Sequence, residues 1–130
     1  MNTPIFENLD LSCAAWGKDI ADDSPSKELE NSINKAISVL EEQGIYAMFL
    51  FLKTKGGRDG EKIKKSIFEF LKQTPKQSPL LSRNGDDDVF KSLQQICNDL
   101  DKLLLARDLV RQTLVYALYH SRLQKNEVRS

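Results

Sequence analysis

Hydrophobic residues recur along this chain every three or four positions, the spacing of one face of an α-helix. The first stripe predicts a helix that Thr3 caps and Pro4 begins, with the buried face Ile5, Leu9, Cys13, Trp16 and Ile20. Ser24 and Pro25 repeat this start signal for a second helix, which Gly44 ends. The buried face predicted for the second helix is Leu29, Ile33, Ala36, Ile37 and Leu40.

The segment from Ile45 to Leu52 is continuously apolar, so strand competes with helix there. No other segment alternates as a partner strand would, and an unpaired strand leaves its backbone groups unsatisfied, so we predict a third helix. The glycines at 56, 57 and 60 then mark a turn, with Asp59 as the candidate cap of a fourth helix. Its predicted apolar stripe is Ile63, Ile67, Phe70 and Leu71.

Two prolines between Thr74 and Pro79 predict a loop over residues 74–85, which we expect to be the most mobile region. Three aspartates at 86–88 then place negative charge where a helix N-terminus favours it. They precede a fifth helix with Val89, Phe90, Leu93, Ile96 and Cys97. From Asp99 the pattern continues to about Gln124, and the sequence leaves open whether this stretch is a separate helix.

The last helix is apolar on two faces, so it is either central to its own domain or shared with a partner. One face carries Leu100, Leu103, Val110, Leu114, Ala117 and Leu118. The nearly opposite face carries Leu105, Leu109, Tyr116 and Leu123. Self-association through this helix therefore stays open.

Together these stripes predict an all-α fold, a single-domain bundle over residues 1–130 with five or six helices and a long C-terminal helix. A chain of 130 residues can bury a core without disulfides or metals. Cys13 and Cys97 have no metal-ligand spacing and are expected to be reduced core thiols. Neither a membrane-spanning apolar run nor a secretory signal is recognisable, so we expect a cytoplasmic protein without membrane contact.

The formal net charge of zero conceals an uneven distribution along the chain. Residues 1–50 hold 3 basic and 9 acidic residues, whereas residues 51–83 hold 9 basic and 3 acidic residues. Such a separation indicates an anionic or electrostatically steered partner, although solvated helix faces are the ordinary alternative. The candidate nucleic-acid-binding residues are Lys53, Lys55, Arg58, Lys62, Lys65 and Lys72, with a second row of Arg107, Arg111 and Arg122 on the last helix.

Aromatic residues near these cations can stack on nucleobases, and Phe68 flanks the lysine face. The alternative is that Phe68 completes the core.

The sequence predicts no catalytic site, metal or cofactor. His120 has no recognisable nucleophile or metal partner, and the aspartates at 86–88 lack the ligand spacing of a calcium loop. The glycine-rich stretch at 56–62 resembles a phosphate loop only superficially, because Glu61 stands where such a loop has a glycine before its lysine. We therefore expect a protein that is not an enzyme.

Two segments resemble a known family. Residues 42–56, EQGIYAMFLFLKTKG, are similar to the segment of the small helical subunit of type III-B (Cmr-type) CRISPR effector complexes in which a glycine precedes an apolar helix ending in lysines and glycine. Residues 111–123, RQTLVYALYHSRL, are similar to the last helix of that family, whose alanine-, leucine- and aromatic-rich core ends in a basic residue. The two segments cover under a quarter of the chain.

The resemblance implies a non-catalytic, all-helical subunit that stacks along an RNA-guided assembly and lines the guide–target duplex with basic side chains. Its partners would be the other subunits and the backbone of the guide and target RNA. By the same resemblance, Lys53 and Lys55 match the lysines of the first motif, and Arg111 and Arg122 match basic positions of the last helix. The near-neutral charge, with a sequence pI of about 6.6, departs from a strong independent RNA binder and favours weak contacts inside an assembly.

A second function class stays open. The acidic second helix and the two-faced last helix would also suit a helical adaptor that binds only protein, with the lysines serving solubility.

Overall fold

Six α-helices make up the part of the chain that the computed structural model describes. The backbone is described for residues 7–22, 26–82 and 88–129, and the side chains for residues 7–21, 26–82 and 88–123. The helices are α1 Leu9–Asp22, α2 Lys27–Gln43, α3 Ile45–Lys55, α4 Gly57–Gln73, α5 Val89–Cys97 and α6 Leu100–Arg129. Since no strand occurs in these ranges, the predicted all-α bundle with a long C-terminal helix is confirmed.

The core lies where the hydrophobic stripes predict it. On α2 the buried side chains are Leu29, Ile33, Ala36 and Leu40, while Ile37 is half-buried. On α4, Ile63, Ile67, Phe70 and Leu71 are fully covered. The ambiguous apolar segment is helix α3, with Ile45, Met48, Phe49 and Leu52 buried.

Helix α6 packs against α1, α2 and α5, so its middle is the central element of the bundle. Leu109, Val110, Leu114 and Ala117 are buried there, whereas Leu100 at its start is 68% exposed. Both apolar faces are therefore used in the middle of the helix, and both are open near its ends. Gly17 allows α1 to approach α6, because a Cβ at that position would lie 2.7 Å from the carbonyl oxygen of Thr113.

Single glycines join α2 to α3 and α3 to α4. Gly44 adopts φ 101°, in the region that favours glycine, and its amide donates to the carbonyls of Val39 and Leu40. Gly56 ends α3 and also precedes α4. At this corner Gly56 and Gly60 both lie against the carbonyl of Leu52, so a Cβ at either position would meet backbone.

Three predicted helix starts are wrong in detail. Helix α1 begins at Leu9, and Asn8 caps it by accepting a hydrogen bond from the Leu11 amide (3.0 Å). The predicted cap Thr3, with Pro4 and Ile5, lies outside the described residues. Helix α2 is capped by Ser26, which accepts from Leu29, and residues 24 and 25 also lie outside the described ranges. The region at 56–60 is a one-residue junction rather than a longer turn, so Asp59 lies inside α4 and caps nothing.

The sequence leaves open whether the fifth and sixth helices are continuous, and the structure answers this. Asp88 caps α5 by accepting from the Phe90 amide, and Asp99 accepts from Lys102 at the start of α6, so the fifth and sixth helices are separate. Cys13 is a buried thiol as predicted, but Cys97 is exposed because the buried face of α5 is formed by Ser92, Leu93 and Ile96.

Residues 74–82 follow α4 without regular secondary structure and pack against the core. Leu80 and Leu81 are buried, and their amides donate to the carbonyls of Thr74 and Leu71. The mobility predicted for residues 74–85 stays a prediction, and residues 83–85 of that loop lie outside the described residues.

Candidate nucleic-acid interface

The predicted cations fall into two regions with different surroundings. The first is named here the α3–α4 surface and consists of Lys53, Lys55, Arg58, Lys62 and Lys65. The second, the α2–α6 seam, consists of Arg107, Arg111 and Arg122 on α6 together with Glu30 and Glu41 on α2.

On the α3–α4 surface, Lys53 and Lys55 lie in the last turn of α3, and Arg58 lies in the first turn of α4. Because a single residue separates the two helices, the backbone positions of these three residues flank one corner of the bundle. Lys53, Lys55, Arg58 and Lys65 are exposed, and within the described part of the chain none of them forms an ion pair. Cations at the end of a helix also complement its dipole, which is the structural reason for Lys53 and Lys55.

The remaining lysines of α4 interact within their own helix. Lys64 pairs with Glu61 at 3.2 Å, and Lys72 pairs with Glu69 at 3.6 Å. The ammonium of Lys72 also lies 4.3 Å from the centroid of the Phe68 ring, and its side chain is only 14% exposed. Lys72 therefore covers Phe68, which is buried and belongs to the core rather than to a free stacking surface.

The three arginines of α6 are exposed to solvent and also contact α2. Arg111 Nε donates to Glu41 Oε1 at 2.6 Å, and Arg107 Nη2 donates to the Glu41 carbonyl at 3.0 Å. Arg122 Nε donates to Glu30 Oε1 at 2.9 Å. A phosphate that approached Arg111 or Arg122 would have to compete with a carboxylate already in place.

Two aromatic residues near the first region were not predicted from the sequence as binding residues. The rings of Tyr46 on α3 and Phe90 on α5 lie 5.4 Å apart between centroids, and both are partly exposed. Lys53 Nζ lies 5.3 Å from the centroid of Phe90. The spacing of Tyr46 and Lys53, seven residues on one helix, places them on one face, but only the packing of α5 brings Phe90 to them.

Polar groups outside the two cationic regions form no cluster that could hold a metal ion, among the described residues. No group of three or more His, Cys, Asp or Glu side chains converges in these ranges. A cleft of about 680 Å³ lies between the start of α1 and residues 75–78. Glu7, the one carboxylate among the described residues that line it, already accepts a hydrogen bond from the backbone amide of Lys76 at 2.7 Å. On the other side of α1, the Tyr116 hydroxyl donates to both oxygens of Asp10, at 2.8 and 2.9 Å, and this contact raises the pKa of Tyr116.

Comparison of the chain with protein-family models, with curated proteins and with solved structures gives no match. Within the described residues, no helix is both long enough and apolar enough to cross a membrane.

Proposed function

We propose that the protein is a non-catalytic structural subunit of an RNA-guided ribonucleoprotein of the type III-B CRISPR kind, and that its α3–α4 surface contacts RNA backbone. The observation that supports this most is the exposure of Lys53, Lys55, Arg58 and Lys65 on two consecutive helices without ion pairs in the described part of the chain. Phosphates are bound by cations of this kind without regard to base identity.

The two cationic regions differ in what a phosphate would have to displace. At Lys55, Arg58 and Lys65 it would displace water and counterions, whose release favours binding. At the α2–α6 seam it would also have to displace Glu41 or Glu30. The first region is therefore the better RNA-contacting surface, and Arg107, Arg111 and Arg122 are secondary candidates.

The proposal implies that the other subunits and the guide and target RNA are partners, and that the protein acts in the cytoplasm. It also implies weak contacts, because the net charge of the chain is zero and its acidic residues repel RNA from other faces.

A protein-only adaptor is the second candidate, and one observation favours it. Leu100, Leu104 and Leu105 are 68%, 49% and 37% exposed at the start of α6, where a partner helix would bury them. In that function the α3–α4 surface would contribute nothing to binding.

The test compares two sets of charge-neutralising substitutions in the full chain. In the first set, Lys55, Arg58 and Lys65 become glutamine; in the matched control set, the exposed Lys18, Lys35 and Lys102 become glutamine. RNA affinity is measured as a function of salt, beginning at low ionic strength. We expect the first set to flatten the log–log salt dependence by up to about 0.7 per lost single-strand contact, and the control set to leave it nearly unchanged.

Equal effects of both sets would show that RNA responds only to net charge, and would contradict the proposed surface. No measurable RNA binding at low salt by the folded wild-type chain would favour the adaptor instead.

A further inference from the structure

Tyr46 and Phe90 form an aromatic pair that packs against the core and is partly exposed to solvent. Their centroids are 5.4 Å apart and their planes are tilted by 58°. The comparable pair of Trp16 and Phe70 has centroids 5.9 Å apart, but Phe70 is fully buried. The rings of Tyr46 and Phe90 are therefore partly exposed, whereas most other phenylalanines that the structure describes are buried in the core.

The aromatic pair adjoins the α3–α4 surface through Lys53. The ammonium of Lys53 lies 5.3 Å from the Phe90 centroid, and the lysine side chain is exposed. Because the lysine stem is long and flexible, its ammonium can leave the ring for a nearby anion without moving the backbone. The structure thus combines two tilted rings from different helices with a mobile cation beside them.

An exposed ring beside a cation is the combination by which proteins hold single-stranded nucleic acid, since bases stack on the ring and phosphates meet the cation. A base inside a duplex already stacks on its neighbours, so such a site suits a base that is unpaired. We propose that Tyr46, Phe90 and Lys53 form a site for one unpaired nucleobase and its phosphate. This rests on the proposed function and adds that the chain contacts a single-stranded nucleotide as well as backbone.

The test uses two oligonucleotides of the same length and phosphate number. One is a short single-stranded RNA of mixed sequence that does not pair with itself, and the other carries abasic residues throughout. Backbone contacts alone bind both equally, whereas a stacking site binds the intact strand about 5- to 100-fold more tightly. Affinities of the full chain are measured at low salt by fluorescence anisotropy.

We expect Phe90→Leu and Tyr46→Leu each to reduce this discrimination several-fold and to leave the salt dependence unchanged. Phe90→Tyr should retain it, because the stacking surface is kept. Phe51→Leu is the matched control, since Phe51 is also half-buried on α3 but lines a groove with Val39 and Leu50 instead. Lys53→Gln, at an exposed position, should weaken binding of both strands without unfolding the chain.

Equal binding of the intact and abasic strands by the wild-type chain would overturn the nucleobase site while leaving the backbone contact in place. Retention of the discrimination in both leucine variants, or its loss in Phe51→Leu as well, would also overturn the site. Failure of the folded wild-type chain to bind either strand would contradict the proposed function and this site together.

Discussion

The α3–α4 surface and the α2–α6 seam contain the same kind of residue in opposite circumstances. Arg111 and Arg122 have a glutamate of α2 at 2.6 and 2.9 Å, whereas Lys55, Arg58 and Lys65 have no ion-pair partner in the described ranges. The seam connects helices that are distant in sequence, while the surface lies on two consecutive helices. Which cations are available to an anionic partner is thus decided by the neighbouring helix and not by residue type.

The energies involved are small in both regions. The Arg111–Glu41 pair is about half exposed, and ion pairs of that kind contribute about 0.2–1 kcal/mol to stability. Exposed cations without partners contribute still less. The difference between the two regions should therefore appear in binding more than in folding, except where the backbone of the corner itself is disturbed.

The largest effect is expected from Gly60→Ala. A Cβ there would lie 2.5 Å from the Leu52 carbonyl oxygen, which cannot move as a side chain would. The cost of overpacking, about 1–3 kcal/mol, equals or exceeds the roughly 1 kcal/mol that alanine gains in helix propensity, so we expect a net loss of stability in urea denaturation.

Gly17→Ala is the matched control for Gly60→Ala, since its Cβ would meet the Thr113 carbonyl at 2.7 Å in the α1–α6 contact. Both variants should be destabilised, but only Gly60→Ala should also change the salt dependence of RNA binding. A gain of stability in Gly60→Ala would mean that the two helices are not in close contact at this corner.

Glu41→Gln should have the next largest effect, because it removes the carboxylate that accepts from Arg111. We expect a loss of about 0.2–1 kcal/mol in unfolding free energy and no steeper salt dependence of RNA binding. A double-mutant cycle with Arg111→Gln should give a coupling energy of similar size. A large gain in RNA affinity would instead show that Arg111 is an RNA ligand that Glu41 covers.

High pH should destabilise the contact between α1 and α6. The pKa of Tyr116 is raised above its ordinary value of 10.0 because its hydroxyl donates to Asp10, and burial raises the pKa of Cys13 above 9.0. Both groups keep their proton to a higher pH in the folded chain than in the unfolded chain. The free energy of unfolding therefore falls as pH rises above about 9 to 10. Tyr116→Phe should show a smaller decline between about pH 8 and pH 11 in chemical denaturation. An identical decline in both proteins would contradict this assignment.

The smallest effect on stability is expected at the α3–α4 surface itself. Replacing Lys55, Arg58 or Lys65 by glutamine should change the unfolding free energy by less than about 0.5 kcal/mol each. A larger loss, measured by thermal unfolding, would mean that these side chains hold the corner together.

The sequence predicts the helices and their buried faces well because local periodicity carries that information. Leu29, Ile33 and Leu40 repeat at helical spacing whatever surrounds them. Caps are harder, since Ser24 and Ser26 are both good capping residues and the choice depends on where the chain leaves the preceding helix.

Long-range contacts could not be predicted from the pattern. Arg111 and Glu41 are 70 residues apart, and nothing local pairs them. Phe68 is the stacking candidate that the sequence offers and Phe90 is predicted only as part of an apolar stripe, yet Phe68 is buried in the core and Phe90 is partly exposed beside Lys53. The burial of the two rings differs because it depends on how the helices pack in three dimensions.

The single-residue junction at Gly56 has a consequence for the thermodynamics of association. Since no flexible loop separates α3 from α4, the distances between the backbones that carry Lys53, Lys55 and Arg58 are set before any partner arrives. Binding then has to immobilise side chains, at about 0.5–1.5 kcal/mol for each long one, but it does not have to order a segment of chain. The junction therefore removes one cost of association, the ordering of a chain segment, from a weak electrostatic contact.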